Sequence, residues 1–290
     1  MLETVADLLN LLELAVLGTD AFEGTQPDPA NHHIVGGHIA AQSLMAASRT
    51  VPDRPPHSLH VYFLRRGDAR QPVRFDVTRL HDGGTFSARR VAATQGGETL
   101  MEGLASFTSG AEGVDYQTDM PSAPAPEELV SVEEQLAHYA GEFGGWWAAP
   151  RPFDTRYIDP PPRIAMDQQK PAEALSRIWL RSRGEIPADP VVARCVLTYL
   201  SALTLLEPAM RQMERSPMDV SALLDHTVWF HRSPHFADWL YYEQKSPTGI
   251  SGRALATGAF YNRSGELVCT AGQEGYFPGR GIISSYNQLA

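Results

Sequence analysis

The sequence predicts an α+β protein made of two similar units, each with one helix packed against an antiparallel sheet. Three observations predict this class. An apolar helical segment precedes several strand-like runs in the first half of the chain, the same order recurs in the second half, and a proline-rich stretch lies between them. The 290 residues are enough for one large domain or for two of about 150 residues each.

The first unit contains a predicted helix at 36–51, GGHIAAQSLMAASRTV, whose many small residues allow close packing against a sheet. Strand-like runs follow it at 57–64, 72–82, 85–95 and 98–108. The triplets DGG and QGG separate the last three runs and are typical of hairpin turns. We therefore expect an antiparallel sheet that wraps one helix.

The second unit repeats this order. A longer helix is predicted at 190–208, and the strand-like runs after it lie at 225–232, 238–247, 252–262 and 266–277. Three pairs of residues keep a nearly constant offset between the two halves: Phe63 with Phe230, Ser87 with Ser251, and Gly97 with Gly265. This offset indicates duplication of one unit, and a helix wrapped by an antiparallel sheet, repeated, is the double hot-dog architecture.

Prolines and acids dominate the stretch between the units, which includes PSAPAPEELVSVEEQ and YIDPPPR. We predict a first unit at 1–110, a connection at 111–163 and a second unit at 164–290. The segment EELVSVEEQLAHYAGEF could form a short helix within the connection, and Trp146 and Trp147 suggest that part of it packs back on a unit.

The composition excludes several classes of protein. A net charge of −10 disfavours nucleic acid as a partner, because phosphate binding needs a basic surface. No uncharged apolar run approaches the roughly 18 residues that cross a bilayer, and the first residues lack the basic start of a secretory signal. We expect a soluble cytoplasmic protein, with Cys195 and Cys269 as small core residues.

Arginines offer a local exception to the acidic balance. Several arginines could form a positive patch that binds a small anionic ligand, or they could simply be solvated residues at strand ends. The candidates are Arg65, Arg66, Arg89, Arg90, Arg232 and Arg253.

Several motifs together carry a resemblance to a known family. GGHIAAQSLMAA, HSLHVYFLRRGD, FSARRVAATQ, MPSAPAP, LDHTVWFHR and QEG resemble the acyl-CoA thioesterase II family, in order and over nearly the whole chain. The resemblance implies two fused hot-dog units and hydrolysis of fatty acyl-CoA to free fatty acid and CoA, with no metal or organic cofactor. Acyl-CoA is then the expected small-molecule partner.

The resemblance also implies a catalytic set that this chain only partly retains. Gln273 matches the family's glutamine and is our candidate catalytic residue. Ala202 stands where the family has an aspartate, and Leu223 where it has a threonine or serine that holds the attacking water. Because a neutral glutamine is too weak a base to deprotonate water, the water-activating site is altered. The nearest polar candidates by sequence are Ser201, Thr204, Thr227 and His38.

Other polar motifs have weaker implications. Adjacent strand residues point to opposite faces, so Asp225 and His226 are more simply structural than a catalytic relay. His226 and His231 are an odd number of residues apart on one strand, and we expect no metal site.

Substrate contacts are expected from Gly37, His38, Arg89 and Arg90. Amides of the Gly36–Gly37 pair could meet a thioester carbonyl or a phosphate, or the glycines could only permit close packing of the helix. The arginines would lie near the mouth of the pocket and bind the CoA phosphates.

Two functions remain open at this point. One is an acyl-CoA thioesterase with an altered or weakened water-activating site, and the other is a non-hydrolytic acyl-CoA or lipid-binding protein with the same fold. We also expect a homo-oligomer, because edge strands of such sheets commonly pair between subunits.

Overall fold

The computed structural model describes residues 2–27, 32–110, 112–142, 149–168, 173–213 and 222–277. Within these ranges the strands form one continuous sheet of thirteen antiparallel strands. The two longest helices lie side by side on this sheet.

The first half of the chain supplies two helices and six strands. In chain order they are α1 (Val5–Leu12), β1 (Ala15–Gly18), β2 (Ala21–Gly24), α2 (Gly36–Ser48), β3 (Pro56–Phe63), β4 (Val73–Asp82), β5 (Phe86–Gln95) and β6 (Glu98–Thr108).

The second half supplies the remaining elements, beginning with those on the connection. They are α3 (Val132–Gln135), β7 (Phe153–Tyr157), α4 (Pro162–Asp167), β8 (Leu175–Ser182), α5 (Pro190–Thr204), α6 (Glu207–Met213), β9 (Ala222–Leu223), β10 (Asp225–Phe230), β11 (Leu240–Ile250), β12 (Arg253–Asn262) and β13 (Leu267–Tyr276).

The strand order confirms the predicted double hot-dog fold. It runs β1-β2-β4-β5-β6-β3-β10-β13-β12-β11-β8-β7, with β9 paired to β13. The order β4-β5-β6-β3 in the first half matches β11-β12-β13-β10 in the second. The two sheets join where β3 pairs with β10, and Val61 lies opposite His226 at this junction.

One of the three equivalences between the halves is wrong. Phe63 and Phe230 both end their strands, and Gly97 and Gly265 both have a φ of 86° in a hairpin turn. Ser87 lies inside β5, opposite Asp82, but Ser251 lies in the turn before β12. The turns differ in length, because only two residues separate the paired ends of β11 and β12.

The connection contributes directly to the sheet. Strand β7 lies within 111–163 and pairs with β8 at one edge of the sheet. The helix predicted from EELVSVEEQLAHYAGEF is instead three short pieces, with α3 between the 3-10 helices Pro126–Glu128 and Ala137–Tyr139. Trp146 and Trp147 lie outside the described residues, and the division of the chain at 110 and 163 stays a prediction.

The central helices are core elements. Asp189 caps α5 by accepting from the amides of Val191 and Val192 at 2.8 and 2.9 Å. The stretch Pro190–Gln212, which spans α5 and α6, is long and apolar enough by composition to cross a membrane, but 67% of its most apolar window is buried inside the molecule. Burial of that kind is what a core helix shows.

Candidate active site

The amino end of α2 lies directly against α5. A Cβ atom on Gly37 would stand 3.1 Å from the Cβ of Ala202 and 3.2 Å from the carbonyl oxygen of Tyr199. Glycine therefore permits this close approach of the two helices. Among the described residues no side chain caps α2, and the His38 amide donates to the Val35 carbonyl oxygen at 3.0 Å, so the donors at this end are the amides of Gly36 and Gly37.

Leu223 reaches the same end of α2 from the sheet. A Cβ atom on Gly36 would come within 2.6 Å of Leu223 Cδ1 and 3.2 Å of the Phe63 ring. Ala202 and Leu223 thus lie on either side of the first turn of α2. Both side chains are apolar, so neither supplies the carboxylate or the hydroxyl that the family resemblance implies there.

Gln273 lies on the inner face of the sheet, next to His226. Thr227 pairs with Gly272 on the antiparallel strand. The next pair along the two strands is therefore His226 opposite Gln273. Gln273 is 1% exposed, and its side chain lies close enough to the His226 ring to raise the pKa of that ring slightly against the effect of burial.

His226 is a buried imidazole with one hydroxyl partner. Its Nε2 lies 2.9 Å from Ser201 Oγ, and the Ser201 hydroxyl donates to the carbonyl oxygen of Thr198 at 3.1 Å. Burial lowers the pKa of His226 to about 4, so the ring is neutral at neutral pH.

Two buried polar atoms on these facing side chains lack hydrogen-bond partners among the described residues. His226 Nδ1 and Gln273 Oε1 have no hydrogen-bond partner within the part of the chain that the structure describes. We call these two atoms the acceptor pair. Buried polar atoms are usually satisfied, so the acceptor pair marks a place where a further donor is expected.

The Asp225–His226 pair is divided as predicted. His226 faces the interior, whereas Asp225 is only partly buried and accepts from the backbone amide of Glu274 at 2.8 Å. Asp225 therefore fastens β10 to β13 and does not contact the imidazole as a relay partner would.

His38 lies one residue beyond Gly37 on α2. The side chain is 3% exposed, and its ring centroid is 5.6 Å from that of Tyr199 on α5. Burial lowers the pKa of His38 to about 3. The structure thus brings two of the four predicted substrate contacts, Gly37 and His38, to the same helix end as Ala202 and Leu223.

Arg89 and Arg90 lie elsewhere. Arg89 is 1% exposed and donates to Thr50 Oγ1 at 2.8 Å and to Asp82 Oδ1 at 2.7 Å. Thr50 is beyond the far end of α2, about 20 Å from Gly37 at the rise of an α-helix. Arg90 forms a two-bond ion pair with Glu102 at 2.7 and 2.9 Å.

Three further candidate arginines have acidic partners. Arg65 pairs with Glu98 at 3.0 Å, Arg232 with Asp115 at 2.6 Å and Arg253 with Glu274 at 3.3 Å. Both cysteines are buried and free. Across the described ranges, no group of three or more His, Cys, Asp or Glu side chains could hold a metal ion.

Glu207 is a buried carboxyl group in the same half of the chain, but it lies apart from this site. Tyr157 donates to Glu207 Oε1 at 2.8 Å, and burial raises the pKa of Glu207 to about 7. Glu207 faces Ser176 on β8, which is three strands, or about 14 Å, from the β13 strand that carries Gln273. Its position does not allow it to replace the missing aspartate.

Comparisons with known proteins agree with these features. A family model described as acyl-CoA thioesterase matches residues 156–276, and one described as the acyl-CoA thioesterase N-terminal domain matches residues 26–108. Acyl-CoA thioesterase 2 of Haemophilus influenzae is 34% identical over 286 residues, which cover 95% of this chain and 98% of that protein.

Solved structures show the same likeness. A tesB protein of Mycobacterium avium subspecies paratuberculosis is 43% identical, with a TM-score of 0.80 over 95% of this chain and 100% of that one. A protein with a hot-dog fold from Alicyclobacillus acidocaldarius, 20% identical, gives a TM-score of 0.75 over 93% of this chain and 97% of that one. At that identity the second likeness shows the fold alone.

Proposed function

Since this chain belongs to the acyl-CoA thioesterase family, we propose that it hydrolyses fatty acyl-CoA to a free fatty acid and CoA through an altered water-activating site. The relatives' names give the substrate class, and the residues at the amino end of α2 give the place. Acyl chain length is left for experiment.

The chemistry requires two kinds of group around the thioester. Attack by water needs an acceptor that orients it and takes its proton, and the oxyanion that forms needs hydrogen-bond donors. The uncapped amides at the start of α2, including that of Gly37, together with the positive end of the helix dipole, support a role as these donors. His38 lines the same helix end.

One observation carries the proposal. Gln273, the family residue that this chain retains, is buried on the inner face of the sheet with an acceptor oxygen to which no described residue donates. An attacking water would supply the missing donor. This fits a site that orients water, although Ala202 and Leu223 cannot take part.

The alternative is a non-hydrolytic acyl-CoA or lipid-binding protein. The apolar residues at 202 and 223 favour it, because they remove two of the three polar groups that the resemblance implies. Fold and pocket would then be retained without the chemistry.

Release of free CoA from a series of acyl-CoAs of increasing chain length decides between the two. We expect turnover with the purified chain, and a large loss in Gln273→Ala with the fold retained. Binding of an acyl-CoA, measured by calorimetry, without any CoA release would establish the binding protein instead.

We also propose that the protein is a cytoplasmic homo-oligomer. The acidic balance and the paired arginines give no reason to expect nucleic acid as a partner. The edges of the sheet, β1 and β7, support the oligomer.

A further inference from the structure

The Ser201 hydroxyl indicates which nitrogen of the His226 imidazole carries hydrogen. A serine hydroxyl has one hydrogen, and Ser201 donates it to the carbonyl oxygen of Thr198. With that hydrogen directed to Thr198, Ser201 Oγ accepts from His226 Nε2 at 2.9 Å, which assigns the hydrogen of the neutral ring to Nε2. Since a neutral imidazole has one donor and one acceptor nitrogen, Nδ1 presents a lone pair.

The acceptor pair therefore consists of two lone-pair atoms on facing side chains of neighbouring strands. His226 and Gln273 are opposite each other, and both are buried. Neither atom can satisfy the other, because both accept. A water molecule has two hydrogens to donate and is the smallest group that could serve both.

We propose that His226 is the general base of this enzyme, with Nδ1 taking the proton of the attacking water that Gln273 Oε1 orients. This inference rests on the proposed thioesterase function and names the group that replaces the aspartate absent at position 202. It gives a catalytic role to a residue whose position in the sequence suggested a structural one.

The proton and electron pairs balance without a further reactant. The water oxygen bonds to the thioester carbon as one O–H proton of the water moves to His226 Nδ1. The π electrons of the carbonyl group move onto the carbonyl oxygen, which becomes the oxyanion. When the carbonyl re-forms, the carbon–sulfur bond breaks and its electron pair leaves with the CoA sulfur. The imidazolium then returns the proton to that thiolate, which leaves a fatty acid and free CoA.

The basicity of His226 suits this role. Its pKa of about 4 is that of an ordinary side-chain carboxylate, about 4, so the imidazole matches the base it would replace. The protonated ring would keep its bond from Nε2 to Ser201, and the neighbouring Gln273 favours the charged form.

His226→Asn tests the assignment, because it keeps a polar side chain but removes the base. We expect kcat to fall about 10²- to 10⁴-fold, while KM stays within about threefold. His57→Asn is the matched control. That histidine is also bonded through Nε2 to a serine hydroxyl, Ser106 Oγ at 2.8 Å, but lies four residues along β3 from Val61, the partner of His226.

A rescue separates a catalytic from a structural role. Adding Ala202→Asp to His226→Asn supplies a carboxylate at the position where the family has one, and we expect turnover to recover by about tenfold or more. A merely structural histidine would not be rescued by that change. If His226→Asn does not fold, His226→Gln, which keeps a donor near Ser201, carries the same expectation.

Ser201→Ala separates this mechanism from a serine nucleophile. With His226 as base for water, the variant turns over about tenfold more slowly than the wild type, because the imidazole loses the hydroxyl that holds Nε2, but turnover persists. Complete loss of activity, or an acyl adduct on Ser201 detected by mass, would overturn the inference. So would an active wild type whose turnover survives His226→Asn, whereas a wild type that releases no CoA from any acyl-CoA would overturn the proposed function with it.

Discussion

At the residue scale, the side chain at position 202 points toward the amino end of α2. Ala202 Cβ is 3.1 Å from where a Cβ of Gly37 would stand. A carboxylate at this position would meet the uncapped amides and the positive end of the helix dipole, which favour its charged form. Burial would oppose this by raising its pKa.

We therefore expect Ala202→Asp together with Leu223→Thr to raise turnover, on the order of 10- to 100-fold. The pair restores an acceptor and a hydroxyl at the amino end of α2, at a cost of a few kcal/mol for the buried polar groups. Steady-state release of CoA measures the gain. Gln273→Ala in the restored background should remove most of it, and a gain that survives this change would place the chemistry on other residues.

Glu207 gives a second residue-scale prediction, in the stability of the fold. Its pKa rises from 4.5 to about 7 on folding, so the folded state holds the proton more tightly than the unfolded state does. Glu207 is protonated in both states below the unfolded pKa. The loss of folding stability caused by the buried carboxyl group therefore develops as pH rises from about 4.5 to about 7.

Glu207→Gln removes this titration but keeps an acceptor for the Tyr157 hydroxyl. Near pH 8 we expect the variant to be more stable than wild type by roughly 2–3 kcal/mol, and near pH 4 the two should agree. Urea unfolding at both pH values measures the difference. A constant difference across this window would show that Glu207 ionises normally in the folded protein.

At the element scale, Arg89 fastens the far end of α2 to the β4–β5 hairpin. Its guanidinium donates to the Thr50 carbonyl oxygen at 3.2 Å and the His81 carbonyl oxygen at 3.1 Å, besides its bonds to Thr50 Oγ1 and Asp82. Because the N–H donors of this buried guanidinium are used by protein acceptors, few remain that could bind a phosphate.

Arg89→Ala should lower the free energy of unfolding by about 1–3 kcal/mol, because buried acceptors lose their donor. Arg90→Ala is the control, since its exposed pair with Glu102 is worth at most about 1 kcal/mol. Unfolding and CoA affinity are measured on both variants. Unchanged stability with weaker, less salt-dependent CoA binding would instead support the phosphate role predicted from the sequence.

At the scale of the whole molecule, joining the two units through β3 and β10 leaves the sheet of described strands with two edges, β1 and β7. Strand edges carry unpaired amides and carbonyls that can pair with another chain. On β1 the edge also exposes apolar side chains, with Val16 68% and Leu17 48% accessible. This edge is suited to contact between copies of the protein.

We expect a mass in solution of at least twice 31.8 kDa, measured by light scattering at micromolar concentration. Lysine at both Val16 and Leu17 should shift the protein toward the monomer, because charged side chains block edge pairing. Val114→Lys, at a 92% exposed position on the connection, should leave the mass unchanged. A monomeric wild type would contradict the proposed oligomer.

Much of the fold could be predicted because it rests on local patterns. The hairpin turns after β5 and β12 need glycine at a φ of 86°, and QGG and RSG supply it at Gly97 and Gly265. The predicted runs and the observed strands β3 to β6 and β10 to β13 agree within a few residues. Strands β1 and β2, only four residues each, gave no comparable signal.

The sequence by itself determined the order of the elements, their duplication and the loss of two polar groups at Ala202 and Leu223, because each depends on neighbours along the chain. Only the tertiary structure decided that His226 faces Gln273 and bonds Ser201, and that Arg89 is buried. Those facts depend on strand register and helix packing between residues far apart in sequence. The alternation of side chains along a strand indicates which face of the sheet a residue occupies. Only the packed structure shows which residue from a distant part of the chain lies against it.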